Sequence, residues 1–446
     1  MRDLVIIGAG PGGFDTAIHA KELGLDVVLI EKHIVGGTCL NYGCIPTKAL
    51  YHNAKSIKLM KDLDVFGINV SDYSIDYSVI KERKETIVSN QVKNILTTIK
   101  KLKIDLIEGT ASIKDHHTVI VNNEEIHTKN IIIATGSSPR LIPFEGDNLP
   151  VVHSSKDILA LDTFPKKMVV IGAGVIGCEM ATIFNQFDCD VTLVEYQNEI
   201  LPPLDQDIKK RARNLYKRQG INIMTSASLQ SVKEVDGLYY AVIDHKGKIL
   251  EVETDYVLVS TGRQPNFGGL PLEEVGIDYT KQGIIVNSNF ETSLSDVYAI
   301  GDVTGILMLA HKATYDGYKV VSHILKKDMA INFNQVPSVV FSFPEIASVG
   351  LVESDLEGTE YRKNKFMFKT NAKAQCLNET DGFVKMLVDE NDILVGCHII
   401  GPHASDLIHE VSTIMYKNIN ISEYKNIIHA HPTISEVVSE CIKGFH

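Results

Sequence analysis

Cys39 and Cys44 stand five positions apart in the run Gly36-Gly37-Thr38-Cys39-Leu40-Asn41-Tyr42-Gly43-Cys44-Ile45-Pro46-Thr47-Lys48. Closing so short a loop stabilises a fold little, because disulfide stabilisation grows with the chain length enclosed. Residues i and i+5 do not face each other on a regular helix, so the two sulfurs meet only if the chain bends between them. Asn41 and Gly43 are the residues that tolerate such a bend. No second cysteine pair or histidine pair stands at zinc-ligand spacing, so no metal site is expected. What remains is a redox-active dithiol, which needs a two-electron partner nearby.

That partner is written in the preceding residues. Leu4–Ile7 reads as a strand, Gly8-Ala9-Gly10-Pro11-Gly12-Gly13 as a tight turn, the stretch to about Leu23 as a helix, and Val27–Ile30 as a strand ending in Glu31. The pattern returns as Val169–Ile171, Gly172-Ala173-Gly174-Val175-Ile176-Gly177, a helix to about Phe187, and Val191–Val194 ending in Glu195. In both copies the acid follows the first glycine by 23 positions, 8 to 31 and 172 to 195. Gly8 and Gly172 allow the turn, Gly10 and Gly174 let backbone approach a pyrophosphate, and Gly13 and Gly177 permit close helix–strand packing. Each helix start adds free N–H groups, and Glu31 and Glu195 can accept from ribose hydroxyls. The first site, nearest the thiols, is expected to hold a flavin, FAD. Glu195 would repel a 2′-phosphate, so the second is expected to take NAD.

Matching strands with Thr-Gly turns follow each unit, Ile131–Gly136 (Thr135, Gly136) and Val257–Gly262. Val297–Gly301 is a further strand closing on Asp302, which can bond a ribityl or pyrophosphate group. A helix beginning near Met308, Leu309 and Ala310 can present N–H groups to the flavin. From Val336 the pattern changes to strands at Ser338–Ser342, Phe366–Thr370, Phe383–Val388 and Ile393–Ile400, then helices, as in a subunit-pairing domain. The fold class is therefore α/β, two Rossmann-like dinucleotide-binding domains plus a C-terminal α+β dimerisation domain. With 446 residues several cores are required. The expected boundaries are 1–145 (FAD), 146–265 (NAD), 266–335 (central, completing the FAD site) and 336–446 (interface).

Composition narrows the class. A formal charge of −12 argues against nucleic acid. Six lysines of 81–103 (Lys81, Lys84, Lys93, Lys100, Lys101, Lys103) read as a solvated helix face, with Ile87, Val88, Val92, Ile95, Leu96 and Ile99 inside. No apolar run reaches membrane-span length, and the first strand leaves no room for a targeting peptide. Seven cysteines, five of them scattered singly, suit a reducing cytoplasm. Cys178, Cys189, Cys376, Cys397 and Cys441 are expected to pack as small hydrophobes.

The thiol motif, the Gly172–Glu179 fingerprint, Gly262-Arg263-Gln264-Pro265-Asn266, Tyr298–Val303, Met308–Ala313 and the ending His429-Ala430-His431-Pro432-Thr433-Ile434-Ser435-Glu436 together resemble the flavin disulfide reductases. The last two motifs are similar to the dihydrolipoamide dehydrogenase branch. The resemblance spans essentially the whole chain. It implies a homodimer using FAD and NAD, with lipoyl-bearing proteins of 2-oxo acid dehydrogenase or glycine cleavage complexes as partners. It also implies a shared active site, in which His431 and Glu436 of one chain face Cys39 and Cys44 of the other. By the same resemblance Cys39 exchanges with the substrate, Cys44 stacks on the flavin with a depressed pKa, and Lys48 pairs with Glu179 near flavin N5. A histidine base oriented by a carboxylate is what dithiol chemistry requires, and His429 would position the loop.

Several residues separate this chain from its rivals. Ile18 stands where glutathione reductases carry an Arg, and no C-terminal cysteine pair exists as in mercuric reductases. A mainly structural subunit of a large complex is the alternative from another class. Asp15 is an unusual acid near a pyrophosphate and is expected to face away from it. Tyr42 is bulkier than usual between the cysteines, and Val175 replaces a gating Tyr. No lipoyl domain is legible in the chain, so the substrate is expected on another protein or as free lipoamide.

Overall fold

A computed structural model of the chain describes residues 1–327 and 329–446. Its first sheet is built on β1 (Arg2–Ile7) and β2 (Val27–Glu31), apolar runs buried from both faces as a parallel sheet requires. Between them lies α1 (Pro11–Glu22). Val5 pairs with Val28 on one side and Ile131 on the other, and Ile131 pairs in turn with Val297. Seven strands result, the parallel ones extended by an antiparallel hairpin through 111–133. The thiol motif forms α2 (Gly37–Tyr42) and α3 (Cys44–Lys61), followed by α4 (Tyr77–Leu102), whose first N–H groups are capped by Asp76.

The strand Val297–Ala299 and the helix Ala310–Ile324 come from the stretch expected as a central domain, yet they complete the first sheet and cover it. The helix lies against α1 at very short range. A Cβ on Gly317 would stand 1.6 Å from Thr16 Oγ1, and one on Gly12 would stand 3.1 Å from Ala313 Cβ. Asp15 belongs to this seam, where it accepts from Thr314 Oγ1 at 2.7 Å, and burial raises its pKa. The buried Lys312–Asp316 pair, 2.7 Å, pins the same helix, since Asp316 also accepts from Gly301 N at 3.1 Å.

A second parallel sheet, in the order 222–225, 190–195, 167–171, 256–259 and 152–154, repeats the first. Its helix Val175–Gln186 takes the place of α1. The last sheet is five-stranded and antiparallel, ordered Ser338–Val340, Ile346–Gly350, Leu394–Ile400, Phe383–Asp389 and Tyr361–Met367. Helices Ala404–Tyr416 and Glu436–Lys443 pack on it through a shared apolar cluster.

Four expectations are corrected. Residues 368–370 are a 3-10 turn rather than strand, because Phe368 is drawn under the sheet and Asn371 N bonds back to its carbonyl at 2.9 Å. The strand at Ser338 stops at Val340, because Phe341 N is taken by Glu179 Oε1 at 2.9 Å. Lys84 leaves the solvated face: its stem is buried and its Nζ donates to Leu159 O at 2.5 Å, whereas Leu96 is exposed. Cys376 is exposed, ending a five-residue helix that offers no apolar pocket, while the other four single cysteines are buried.

The interface sheet is fastened to the second unit by a buried amine. Lys385 Nζ reaches Asp205 at 2.8 Å, Asp207 at 2.7 Å, and Glu353. Burial works to raise the Asp207 carboxyl, but Lys365 and Lys385 outweigh it and hold it at about 2. Glu353 is likewise held at about 2 against burial by Lys363 and Lys385. Both folded values lie below the ordinary carboxylate value of about 4. Their stabilisation is therefore present above that value and lost as pH falls toward 2. Lys385→Met leaves buried Asp205 without a cation and takes one of two from Asp207 and Glu353. The expected cost is about 3–5 kcal/mol, seen as a lower urea midpoint at neutral pH. A midpoint within error of the parent would contradict it.

Candidate active site

The thiol pair sits at a helix break. α2 ends at Tyr42, Gly43 turns the backbone (φ −144°, ψ −105°), and Cys44 opens α3. A Cβ on Gly43 would meet Thr38 O at 3.1 Å, so the turn is tight. Asn41 is not part of the bend. It stays helical and pins the loop, donating to Val35 O at 3.1 Å and Gly37 O at 3.0 Å. Cys39 and Cys44 are free and half-buried, and each shifts the titration of the other. The Cys39 side chain lowers the Cys44 pKa to about 7, with Lys48 helping against burial. The Cys44 side chain and burial push Cys39 up. Cys44 is thus the more acidic thiol of the pair.

Lys48, one turn along α3, reaches Glu179 Oε1 at 3.1 Å and Oε2 at 3.2 Å and lies 4.5 Å from the centre of the Phe341 ring. Glu179 is buried. Farther along the same face Tyr51 OH donates to Glu345 Oε1 at 3.0 Å and stacks on Phe343. Glu345 Oε2 accepts from Ser405 Oγ at 2.7 Å, tying α3 to the helix Ala404–Tyr416.

The two glycine loops superimpose in function. Gly8 (φ +103°) and Gly172 (φ +95°) adopt backbone only glycine takes readily. A Cβ on Gly13 would strike Gly8 O at 1.8 Å, and one on Gly177 would strike Gly172 O at 1.9 Å. Glu31 accepts from Ala9 N at 2.8 Å and His33 N at 2.9 Å; Glu195 accepts from Ala173 N at 2.7 Å and Gln197 N at 2.8 Å. Each acid therefore also holds its loop in shape.

Every candidate cofactor residue except Gly13 and Gly177 lines one cavity of about 2730 Å³, together with both thiols. That is severalfold the size of a single-ligand pocket. A Cβ on Gly174 would meet no protein atom within 4 Å, and one on Gly10 only Gly37 Cα at 4.0 Å. Protein packing does not demand those glycines, but a pyrophosphate lying on the backbone does. Residues and volume thus fit two dinucleotides. Leu309 and Ala310 open the helix over the same space. Asp302 is bonded by Ser137 Oγ, and Arg263 donates to Ser137 Oγ and O at 2.7 Å each. Ser137 escaped the sequence reading, and Arg263 entered it only within a motif and without a role, although both follow the repeated Thr-Gly turns; strands Ser137–Pro139 and Arg263–Pro265 pair antiparallel. Val175 lies at the cavity mouth, and the Tyr42 ring carries Lys156 Nζ 4.4 Å from its centre.

His431 and Glu436 do not line this cavity. His431 Nδ1 lies 2.9 Å from Glu436 Oε1, and the side chain is 72% exposed. Thr433 N donates to Glu436 Oε2 at 2.8 Å, and that bond, with His431, holds the Glu436 carboxyl low. His429 is turned inward, bonded to Glu410 at 2.9 Å and Tyr424 at 3.0 Å.

Residues 2–317 match the pyridine nucleotide-disulphide oxidoreductase model, and residues 336–442 match the dimerisation domain of the same group. The chain belongs to the pyridine nucleotide-disulphide oxidoreductases. Among relatives of this family, mitochondrial dihydrolipoyl dehydrogenase of Pisum sativum is 38% identical over 98% of this chain and 90% of its own length. Dihydrolipoyl dehydrogenase of Chlamydia muridarum is 38% identical over 98% and 95%. The HOCl-induced flavoprotein disulfide reductase RclA of Escherichia coli superimposes with a TM-score of 0.89 at 26% identity, covering both chains fully. FAD and NAD are the cofactors of this enzyme, and its dimerisation domain supports a homodimer. Among the described residues no helix is long and apolar enough to cross a membrane.

Lys48→Met removes the cation that helps hold Cys44 as thiolate. The pH midpoint of alkylation at Cys44 is expected to rise from about 7, read by mass spectrometry of iodoacetamide-labelled protein.

Proposed function

We propose that the chain is a dihydrolipoyl dehydrogenase, oxidising protein-bound dihydrolipoamide to lipoamide through a Cys39–Cys44 disulfide and passing the hydride to NAD. The observation that carries this reading is the dithiol opening onto one cavity with two glycine-loop grooves. FAD, when bound, supplies the two-electron relay between sulfur and nicotinamide. His431 of one subunit takes the proton of a substrate thiol at Nε2, the nitrogen left by Glu436 at Nδ1. The substrate thiolate attacks Cys39, the Cys39–Cys44 bond breaks, and Cys44 leaves as the thiolate its surroundings favour. The second substrate thiol then displaces Cys39, and lipoamide departs as a cyclic disulfide. Glu436 fixes the imidazole tautomer and faces the charge that forms. Lys48 and Glu179 order the side of the site facing the second groove. Gly8, Gly10, Gly13, Glu31, Thr135, Gly136, Asp302, Leu309 and Ala310 hold FAD; Gly172, Gly174, Gly177, Glu195 and Gly262 hold NAD.

This reading divides the chain into FAD (1–145), NAD (146–265), central (266–335) and interface (336–446) domains. Separate sheets support the FAD, NAD and interface divisions and the family boundary between 317 and 336 the last of them, while the central stretch joins the first sheet through Val297–Ala299. Lipoyl-bearing proteins of 2-oxo acid dehydrogenase or glycine cleavage complexes are the partners. Ile18, packed among apolar residues, offers no charge to a glutathione carboxylate. Five cysteines scattered singly through the sequence support a reducing, cytoplasmic setting.

His431→Ala is expected to lower dihydrolipoamide–NAD turnover by about 10²–10⁴-fold, while NADH still reduces the bound flavin in anaerobic stopped flow. Equal loss of both rates would remove the role given to His431.

A further inference from the structure

The loop carrying His431 and Glu436 is held from behind by a residue that touches neither. Asn371 is 5% exposed and uses both ends of its amide. Its Oδ1 accepts from Ala374 N at 2.9 Å, capping the helix Ala372–Cys376. Its Nδ2 donates to Thr433 O at 3.1 Å. The partners fix the amide orientation, since a backbone N–H needs the oxygen and a carbonyl needs the NH₂. From Thr433 the path is short: its own N–H donates to Glu436 Oε2 at 2.8 Å, and Glu436 Oε1 faces His431 Nδ1 at 2.9 Å. Thr433 Oγ1 braces the same turn against Ala430 O at 2.9 Å and Ser435 Oγ at 3.0 Å. The Thr433 carbonyl and N–H lie on successive peptide planes hinged at one Cα, so fixing the carbonyl restricts where the N–H can point toward Glu436.

We propose that Asn371 is a positioning residue for the dithiol reaction, setting the Glu436 carboxylate against His431 by anchoring the Thr433 peptide. This rests on the role given to His431 above. The requirement is chemically narrow. A cap alone would accept Asp or Ser, whereas only an amide both caps the helix and donates to the facing carbonyl. The charged groups around Glu436 are His431 and His429, the latter already engaged by Glu410. The carboxylate is therefore the only one bonded to the His431 ring among the described residues.

Asn371→Asp keeps the cap acceptor and turns a second oxygen toward Thr433 O. Asn371→Ser keeps an acceptor without the reach. In the FAD-loaded enzyme both are expected to lower dihydrolipoamide–NAD kcat about tenfold, with KM changed less than about twofold, as for a misplaced reacting group. A base no longer placed by its carboxylate should also give a kcat–pH profile whose ascending limb differs from the parent's. NADH–ferricyanide turnover should stay at the parent level. His431→Ala is measured alongside. If that variant is impaired while both Asn371 variants keep parent kcat and the parent pH limb, the positioning role is overturned and the role of His431 stands. If His431→Ala keeps dihydrolipoamide turnover, the reading beneath it fails instead, and the proposal with it. A parallel fall of both activities in both Asn371 variants, with no shift of the pH limb, assigns Asn371 to folding alone and also overturns the proposal.

Discussion

The Lys48–Glu179 ion pair is the joint on which this architecture turns. Lys48 belongs to the thiol helix, Glu179 to the helix of the second glycine-loop unit, and Phe341 N, which also bonds Glu179, to the interface sheet. Three folded parts meet at one carboxylate, and residues of all three, among them Leu50, Phe184 and Val340, share one apolar cluster. A buried acid with these donors is costly to displace, because removing any partner leaves the charge underpaired. Both glycine loops and the sulfur pair open on the same cavity beside it. The end of the strand Ser338–Val340 follows from the same bond, since its next N–H has been diverted to Glu179.

The two halves of the proposed catalytic apparatus are assembled by different means. The thiols, glycine loops and Thr-Gly turns converge within one chain because parallel strands deliver their C-terminal ends to the same edge. The His431–Glu436 pair is built on another surface and points outward. Neither residue lines its own chain's cavity, as the proposed dimeric site requires. Order in the dyad comes from backbone, through Thr433 N, so the imidazole can be presented to a neighbour without being buried first.

Much of this was legible in residue order. Both glycine loops, their spaced acids and the dithiol are local signals, because turn, helix start and acid are fixed within about 25 residues. What escaped was long-range. Arg263 and Ser137 become partners only when two Thr-Gly turns from different units pair as strands, and Tyr51 meets Glu345 across 294 positions. Glu31 and Glu195 were read as ligand groups alone, yet each also closes its own loop, a local bond that the spacing contained. Lys84 misled through composition, since a lysine in a charged helix is indistinguishable from its neighbours until Leu159 O is placed above it. The run 366–370 has strand character by alternation, but burial of Phe368 and the following asparagine cap bend it away.

The open space beside Gly10 and Gly174 has an evolutionary corollary. Gly13 and Gly177 are held by the architecture itself, because carbonyl oxygens occupy the room a methyl group would need. Their neighbours meet no such obstacle, so selection for a well-behaved polypeptide cannot preserve them. Only continued use of the cofactors does. In a lineage that stopped using one dinucleotide, Gly10 or Gly174 would be the first to drift, and the empty groove would outlast its purpose as an intact shape.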